Sequence, residues 1–281
     1  MTKKKTLKIF IDGDIILHKN AAVAEEAINW GDDWWGLYAD LRTAKSQVMA
    51  DIGNYLKATK NCYAQFKDIE VGDIGDIKLT IVLSDKENNW RHQILPSYKL
   101  NRKSKRKPIL LNPLREWMIK VHGAIWWAGL EADDVIGILA SRESIVISED
   151  KDFETIPCLL YKPSRDKLQK ITKLKANKTH LYQTLTGDAA DGYSGCPGIG
   201  PVNAKRILDV GTWKEVVVAY EGAGLEEEDA MVQARVAHIL RSKVEYRRKS
   251  CKVRLWHPSF YGRRYGVKYD KELSNQYIRA I

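Results

Sequence analysis

Carboxylate side chains recur in this chain where a loop is expected to leave an apolar strand or a helix is expected to begin. The acidic positions that share this placement are Asp12 with Asp14, Asp85, Glu131 with Asp133 and Asp134, Asp150 with Asp152, and Asp188 with Asp191. Gathered carboxylates repel one another unless cations lie between them. Oxygen-only ligand sets favour hard ions, so the pattern predicts Mg²⁺, with Mn²⁺ as a substitute. Two such ions about 4 Å apart can clamp the attacking and leaving oxygens of a phosphodiester.

The spacing within these groups leaves an ordinary alternative open for each of them. Glu131 and Asp134 are three residues apart, on neighbouring faces of a first helical turn, where acids also offset the helix dipole. Asp150 and Asp152 project to the same side of an extended backbone, although a polar turn has the same spacing. The pair at 188 and 191 lies in a loop flanked by glycine. A dipole effect explains one or two of these acids but not all five groups.

The composition indicates a polyanionic partner. The chain has 281 residues, with 46 Lys and Arg against 36 Asp and Glu, which gives a formal net charge of +10. This balance fits a nucleic acid, whose phosphates basic side chains neutralise. The four cysteines are widely spaced and form no zinc motif, which is typical of reduced cysteines. No cleavage site follows the basic start and no apolar stretch approaches about 20 residues, so we expect neither a signal peptide nor a membrane span.

The densest positive run covers residues 98–107, after Asp85 and before a predicted helix. We expect this run to overhang the acidic strand ends. Lys99 and Arg102 are one helical turn apart and are placed to contact a scissile phosphate, which Arg102 can bind through two hydrogen bonds. A solvated basic loop is the alternative.

A glycine-rich segment follows the last acidic group. Gly198, Gly200 and Lys205 do not form a Walker loop, because the Gly-Lys-Ser/Thr ending is missing. The segment fits a helix–hairpin–helix turn, whose backbone N–H groups bind DNA phosphates without reading sequence. No histidine pairs with a nucleophilic Ser or Cys.

The coarse pattern of the first half predicts strands that alternate with helices. Apolar runs at residues 7–11, 78–84, 124–127 and 144–147 are predicted strands, and residues 15–28, 30–60, 110–121 and 132–140 are predicted helices. Such alternation indicates a mostly parallel sheet with ligands at the carboxyl ends of its strands. Trp30, Trp34 and Trp35 are predicted to pack their helix onto the body, with base stacking as the alternative.

The pattern changes after residue 153. Residues 159–174 read as short strands or a hairpin, and helices are predicted at 179–185, 212–220 and 226–249. A soft domain boundary is placed near residue 177. The tail from residue 258 to 281 is basic and aromatic and is expected to bind DNA or to cover the body.

These motifs, in this order, resemble the flap endonuclease / 5′→3′ exonuclease family, and most closely the exonucleases of lytic podovirus-type phages. The likeness spans most of the chain. It is carried by residues 11–14, 84–85, 98–102, 131–134, 147–153, 187–195, 237–240 and 255–256.

The resemblance assigns roles to the acids and bases named above. It implies that Asp12, Asp85, Glu131, Asp133 and Asp134 surround a first metal ion, that Asp150 and Asp152 lie between two ions, and that Asp188 and Asp191 belong to a second, weaker site. It implies catalytic roles for Asp12, Asp85, Asp152, Lys99 and Arg102. The implied DNA-binding residues are Tyr98, Lys99, Arg102, Lys103, Lys105, Arg106, Gly198, Gly200 and Lys205.

The resemblance also implies a fold and a domain division. We expect an α/β fold of the PIN-like, flap-endonuclease type, with a central mostly parallel sheet flanked by helices and a helical arch. Residues 1–177 are the expected nuclease core, with a basic arch at about 86–110. Residues 178–281 are the expected helical DNA-binding region, with a helix–three-turn–helix motif at about 187–210 and a basic tail. Some relatives hold K⁺ in that motif, where Cys196 and Pro197 depart from the family pattern.

The function implied is metal-dependent 5′→3′ exonuclease and flap-endonuclease activity on duplex DNA. The products would carry a 5′-phosphate, and the RNA strand of RNA·DNA hybrids would also be cut. The resemblance implies a monomer in the cytoplasm of a phage-infected bacterium, with replication proteins as further partners. The alternatives are a single-strand RNase of the PIN-like fold and an inactive structure-specific DNA-binding module. The duplex-gripping motif disfavours the first, and the complete acid set disfavours the second.

Overall fold

A computed structural model describes residues 5–102, 104–209, 211–262 and 273–281. The first half of the chain forms β1 (Lys5–Asp12), α1 (Gly13–Val23), β2 (Glu25–Asn29), β3 (Trp35–Ala39), α2 (Leu41–Lys67), β4 (Ile74–Val82), α3 (Leu111–His122) and α4 (Ala132–Leu139). The second half forms β5 (Ile145–Ile147), β6 (Leu159–Lys162), β7 (Lys167–Lys170), α5 (Lys173–Thr186), α6 (Pro201–Ile207), α7 (Trp213–Gly222), α8 (Glu227–Ala237), β8 (Tyr246–Arg247), β9 (Lys252–Arg254) and β10 (Tyr277–Arg279). No helix in the described ranges is long and apolar enough to span a bilayer.

The central sheet has five strands in the order β4-β1-β5-β6-β7. β1 is parallel to β4 and β5, β5 is parallel to β6, and β7 is antiparallel to β6. The predicted mostly parallel sheet is therefore confirmed, as is the predicted hairpin after residue 159. Ile9 and Ile11 face one hydrophobic core and Phe10 faces another. Both faces of β1 are covered, as expected for parallel strands joined by helices.

Three large hydrophobic cores and one small cluster hold the described residues together. The first packs one face of the sheet against side chains of α1, α2 and α3, such as Ala21, Val48 and Leu114. The second joins the other face and α4 to the end of the chain, through Ile136 and Leu255 among others. The third lies among α5 to α8 around Trp256. The C-terminal part of the chain is therefore packed directly onto the sheet that carries the acids.

The segment before α2 differs from the prediction. Residues 25–39 form an antiparallel hairpin of β2 and β3, and helix begins only at Leu41, behind Asp40, whose side chain accepts from the Arg42 and Thr43 N–H groups. Gly31, Asp32 and Asp33 adopt positive φ angles, which a right-handed helix does not contain. Three tryptophans lie on this hairpin, exposed by 73%, 76% and 64% (Trp30, Trp34 and Trp35). The prediction that they pack a helix onto the body is wrong, and base stacking stays a prediction.

Other predicted elements are shorter or different. The expected strand at 124–127 is a single parallel bridge between Val82 and Ile125. The helix predicted to reach residue 249 ends at Ala237, because Arg91 binds the His238 carbonyl and Asp134 accepts from the Leu240 N–H. The chain then forms β8 and β9, and β9 pairs with both β8 and β10 in an antiparallel sheet. The C-terminal region is thus not all helical.

The basic segment is also not an α-helical arch. Over the described residues 86–102 and 104–110 it contains only two 3₁₀ turns, Trp90–Gln93 and Leu100–Arg102. Lys103 and residues 263–272 of the predicted basic tail (258–281) lie outside the described residues.

Candidate metal and nucleic-acid site

The carboxyl edge of the sheet brings the first acids together. Asp12 is the last residue of β1 and the N-cap of α1, where it accepts from the Asp14 N–H at 3.2 Å. Because β1 and β5 pair in register at Ile11 and Ile147, the chain leaving β5 passes beside Asp12. The Ser148 hydroxyl contacts the Asp12 carboxylate at 3.4 Å. Asp12 and the acids that follow β5 therefore share one edge of the sheet.

These acids repel one another strongly. Burial raises the pKa of Asp12 to about 8, with further contributions from Asp14 and Asp150. Burial likewise raises the pKa of Asp152 to about 7, with Asp150 and Asp191 adding to the effect. The carboxylates of the β1, β5 and 188–191 segments thus lie within electrostatic range of one another. This is the situation in which an added cation is most favourable.

A tight loop returns Asp188 and Asp191 to this edge. Gly187 and Gly195 both have positive φ angles, and a Cβ at Gly187 would lie 2.3 Å from the Ser194 carbonyl carbon. Only glycine permits this approach of two backbones. Asp188 contacts the Lys151 ammonium at 2.7 Å, so the returning loop is tied to the segment between the two acids that follow β5.

The basic segment lies over the acids, as the sequence predicts. The Tyr98 hydroxyl bonds to Glu131 at 2.9 Å and to Asp191 at 3.1 Å. The Lys99 ammonium contacts the same two carboxylates, at 2.5 and 3.4 Å. Arg102 binds the Asp191 carboxylate and, at 3.1 Å, the Ala190 carbonyl. Lys99 and Arg102 are thereby held within reach of the acidic edge.

The acids at the start of α4 behave differently from one another. Burial would raise the pKa of Glu131, but Lys99 and Arg91 outweigh it and hold that pKa at about 2. Burial raises the pKa of Asp133 well above its ordinary value, and Asp134 and Glu131 raise it further. Of the two aspartates, Asp133 is therefore the one that a cation would stabilise.

Asp134 is not placed as a metal ligand, and the prediction for it is wrong. Its side chain is fully buried, and both carboxylate oxygens accept from Arg91, at 2.7 and 2.9 Å. The Trp90 indole N–H and the Leu240 backbone N–H complete its hydrogen bonds. Arg91 also donates to the Val236 carbonyl at 2.9 Å. Arg91 therefore joins the acidic helix to the chain after α8, a link that no sequence pattern marks.

Asp85 and Asp14 are held at the end of β4. Asp85 accepts from the Gly129 N–H at 2.6 Å and from the Glu87 N–H at 2.9 Å. Asp14 accepts from the Ser84 N–H at 2.7 Å and is bound by Arg115, which also donates to the Ser84 carbonyl. Sequence reasoning missed Arg115, because it lies on α3, a hundred residues along the chain from its partner.

The remaining predicted DNA-binding residues are spread more widely. Arg106 binds Glu25 through two hydrogen bonds of 2.9 and 2.6 Å, so its charge is already paired, whereas Lys105 is exposed. Gly198 and Gly200 lie in the loop before α6, and Lys205 lies within α6. A cavity of about 590 Å³ lies along α5 and α6. Its lining combines basic and polar side chains (Lys151, Lys175, Lys178, Gln183 and Lys205) with Glu154 and with apolar ones such as Leu174 and Leu208.

The donor chemistry fits hard divalent cations. Every candidate ligand at this edge is a carboxylate, and the raised pKa values of Asp12, Asp133 and Asp152 show that their negative charges are uncompensated. Within the described ranges, no three His, Cys, Asp or Glu side chains form a ready-made metal cage. Several of the acids are instead bound by lysine or arginine, as described above.

Comparisons with known proteins find nucleases of similar sequence. Residues 40–176 match the family model described as the N-terminal resolvase-like domain of 5′-3′ exonucleases. The exodeoxyribonuclease of Enterobacteria phage T3 is 29% identical across 89% of this chain and 92% of its own length. The exonuclease of Escherichia phage T7 is 28% identical across 89% and 93%. The flap endonuclease Xni of Vibrio campbellii is 30% identical, across 48% of this chain and 58% of its own length.

Solved structures of similar shape are more distant. The T5 D15 protein crystallised with metal ions has a TM-score of 0.48 and 14% identity, and covers 83% of this chain and 93% of that one. The catalytic core of Rad2 in complex with DNA has a TM-score of 0.40 and 11% identity, over 78% and 66%. Similarity this low carries no conclusion about the site.

The chain is similar to 5′-3′ exonucleases and flap endonucleases. The resemblance predicted from the sequence is therefore confirmed, and so is the predicted class of enzyme, since these relatives are named as nucleases. Among them, the two phage exonucleases are similar over nearly the whole chain.

Proposed function

We propose that the protein is a divalent-metal-dependent 5′→3′ exonuclease and flap endonuclease that acts on duplex DNA and on the RNA strand of RNA·DNA hybrids. One observation carries this proposal. Mutually repelling carboxylates from three separate segments meet at the carboxyl edge of the sheet, directly beneath Lys99 and Arg102. Cations and a phosphodiester together satisfy both sets of charges.

The acids at this edge would hold the metal ions. Asp12, Asp85 and Asp133 would serve one ion, Asp188 and Asp191 a second, and Asp150 and Asp152 would lie between them. Two bound Mg²⁺ ions, or Mn²⁺ in their place, supply activation of the attacking water and stabilisation of the leaving oxygen. Glu131 would orient Lys99, to which it is bonded.

The basic side chains would hold the scissile phosphate. Lys99 and Arg102 are placed by their contacts with Glu131 and Asp191, and a phosphate that enters would exchange for those contacts. Positive charge fixed in advance at the reacting group stabilises the charge that develops in the transition state. Their role is therefore expected to be larger in turnover than in binding.

Duplex DNA would be bound by residues that lie further from the metal-binding acids. The loop before α6, with Gly198 and Gly200, and the exposed Lys205 would contact backbone phosphates, as would Lys105. A K⁺ ion held by carbonyls of that loop belongs to the same proposal. We further propose that the protein acts as a monomer in the cytoplasm of an infected bacterium, beside replication proteins.

Product analysis tests this proposal directly. Duplex, flap and RNA·DNA hybrid substrates labelled at the 5′ end are incubated with the protein in Mg²⁺ and, in parallel, in EDTA. We expect release of short 5′-phosphorylated products in Mg²⁺ only. Cleavage confined to single-stranded RNA would instead indicate a PIN-like RNase. Tight binding of duplex ends without cleavage would indicate an inactive DNA-binding module.

A further inference from the structure

Asp152 receives a hydrogen bond from a buried glutamine that belongs to none of the acidic motifs. Gln183 lies on α5 with 6% of its surface exposed, and its amide Nε2 donates to Asp152 Oδ1 at 2.6 Å. Asp152 is the second residue of a 3₁₀ turn (Lys151–Thr155), where its backbone N–H donates to the Asp150 carboxylate at 2.9 Å. The backbone and one carboxylate oxygen of Asp152 are therefore both held.

The side chain of Gln183 hydrogen-bonds to Asp152 and to no other side chain in the described part of the chain. It also lines the cavity that Lys151 and Tyr182 border. The other end of the amide, Gln183 Oε1, is buried and has no hydrogen-bond partner among the described residues. An apolar side chain of the same length would pack there without leaving that oxygen unpaired. The contact with Asp152 is thus what the amide provides.

We propose that Gln183 is a positioning residue, which fixes the Asp152 carboxylate for a divalent cation. The inference rests on the proposed function. Because Gln183 occupies Oδ1, and because Oδ2 accepts no hydrogen bond from the described part of the chain, Asp152 presents a single free oxygen. A carboxylate held in one orientation binds a cation with less loss of conformational freedom than a mobile one.

The position of Gln183 couples the two groups of acids. α5 ends at Thr186, and the loop that carries Asp188 and Asp191 follows directly. The Lys151 contact with Asp188 ties the same loop to the turn that contains Asp152. One helix therefore orients Asp152 from its side and presents Asp188 and Asp191 from its end. Gln183 lies beyond residue 176, where the match to the N-terminal domain model stops.

The test replaces Gln183 and leaves its helix intact. Gln183→Met keeps the length and the apolar packing but cannot donate to Asp152. Thr184→Val is the matched control, because Thr184 is also fully buried, and its hydroxyl bonds only within α5, to the His180 carbonyl at 3.0 Å. Mn²⁺ binding is measured without DNA by electron paramagnetic resonance, and kcat and KM on 5′-labelled duplex are measured across a Mg²⁺ series.

We expect Gln183→Met to weaken Mn²⁺ binding and to raise the half-saturating Mg²⁺ concentration by about 10- to 100-fold, which is usual when a partner of a metal ligand is lost. Its KM for DNA and its melting temperature should match those of Thr184→Val. Gln183→Glu should lose more than Gln183→Met, because it adds a negative charge beside Asp152. If Gln183→Met does not fold, Gln183→Leu takes its place with the same expectation.

The outcomes separate this inference from the proposed function. Identical Mn²⁺ isotherms and kcat values for Gln183→Met and Thr184→Val would overturn the positioning role, while the parent activity would remain. A parent protein that binds no Mn²⁺ and cleaves no DNA would overturn both.

Discussion

Two pairs of acids at the same edge of the sheet show opposite electrostatics. The clamped acids, Glu131 and Asp134, have basic partners inside the protein, and the pKa of Glu131 is held at about 2 by Lys99 and Arg91. Burial, with neighbouring carboxylates adding to the effect, raises the pKa values of the open acids, Asp12 and Asp152, to about 8 and about 7. Glu131 therefore stays ionised by itself and Asp134 has a counter-charge in Arg91, whereas the open acids need positive charge from outside.

The contrast separates the acids that hold the fold together from the acids that are available to bind a cation. A buried charge that is paired and fully hydrogen-bonded is a link in the fold, and breaking such a pair is costly. A buried charge that faces like charges costs free energy in the metal-free chain and is favoured only when a cation binds. Asp134, with Arg91, joins the sheet to the chain after α8, while Asp12 and Asp152 are the residues on which metal binding should depend.

The largest expected effect comes from changing one of the open acids. Asp152→Asn removes a charge between the proposed ions, so we expect kcat in Mg²⁺ to fall on the order of a thousandfold while duplex binding is kept. Asp209→Asn, which alters a side chain that is 79% exposed, is the charge-matched control. If Asp152→Asn degraded 5′-ended duplex at the parent rate, the claim that the open acids hold the catalytic cations would be wrong.

On the clamped side, the expected loss is in stability. Asp134→Asn removes the carboxylate that binds the buried Arg91 through both oxygens and leaves Arg91 with Glu131 as its counter-charge, so the free energy of unfolding should fall by about 3–5 kcal/mol. Asp133→Asn, one residue earlier, should not destabilise the metal-free protein, because it removes a carboxylate that Asp134 and Glu131 repel. Urea unfolding in EDTA measures both. Equal losses for the two variants would show that the distinction between Asp133 and Asp134 is wrong.

Lys99 provides a further test, because it is bonded to the clamped acid Glu131 and is also proposed to contact the substrate phosphate. We expect Lys99→Ala to lower kcat about a hundredfold and to change KM little, since its charge acts on the transition state. Lys105→Ala, on the same basic segment but exposed, should weaken DNA binding and leave kcat unchanged. Equal effects of Lys99→Ala on kcat and on binding would make Lys99 a docking residue.

A smaller effect is expected from pH. Asp12 and Asp152 keep protons in the folded chain at pH values where the unfolded chain has lost them. In the metal-free protein, the stability that these raised pKa values contribute is therefore fully present below pH 3.8, the ordinary pKa of aspartate. It is lost as the pH rises toward about 8. Mg²⁺ should restore this lost stability, so it should raise the melting temperature more at pH 8 than at pH 5. The half-saturating Mg²⁺ concentration should rise below pH about 7, roughly tenfold per unit for each displaced proton. A melting temperature at pH 8 that does not respond to Mg²⁺ would contradict this.

The strand ends were predictable and the partners of the acids were not. Parallel strands end at one edge, so the sequence positions of Asp12, Asp85 and Asp150 were enough to predict that they share it. The partners Arg91, Arg115 and Gln183 lie between 31 and 101 residues from the acids they contact. No local period marks such pairs, so the sequence predicts Asp134 as a metal ligand although Arg91 binds it.

The hairpin of β2 and β3, which carries Trp30, Trp34 and Trp35, shows a second limit of prediction from sequence. Apolar residues from 37 onward have helical spacing, and the prediction extended that helix back to residue 30. Local backbone geometry ended it instead, because Asp32 and Asp33 take positive φ angles and Asp40 caps α2. Turn chemistry thus prevailed over periodicity, and Trp34 remained exposed.

Anomalous diffraction from crystals grown in Mn²⁺ tests most directly whether the open acids hold the cations. We predict manganese peaks about 2.0–2.3 Å from carboxylate oxygens of Asp12 and Asp152. We also predict that Asp134 remains bonded to Arg91 and contacts no ion. Peaks bound by Asp134, or an acidic edge without manganese in a well-ordered crystal, would contradict the division between clamped and open acids.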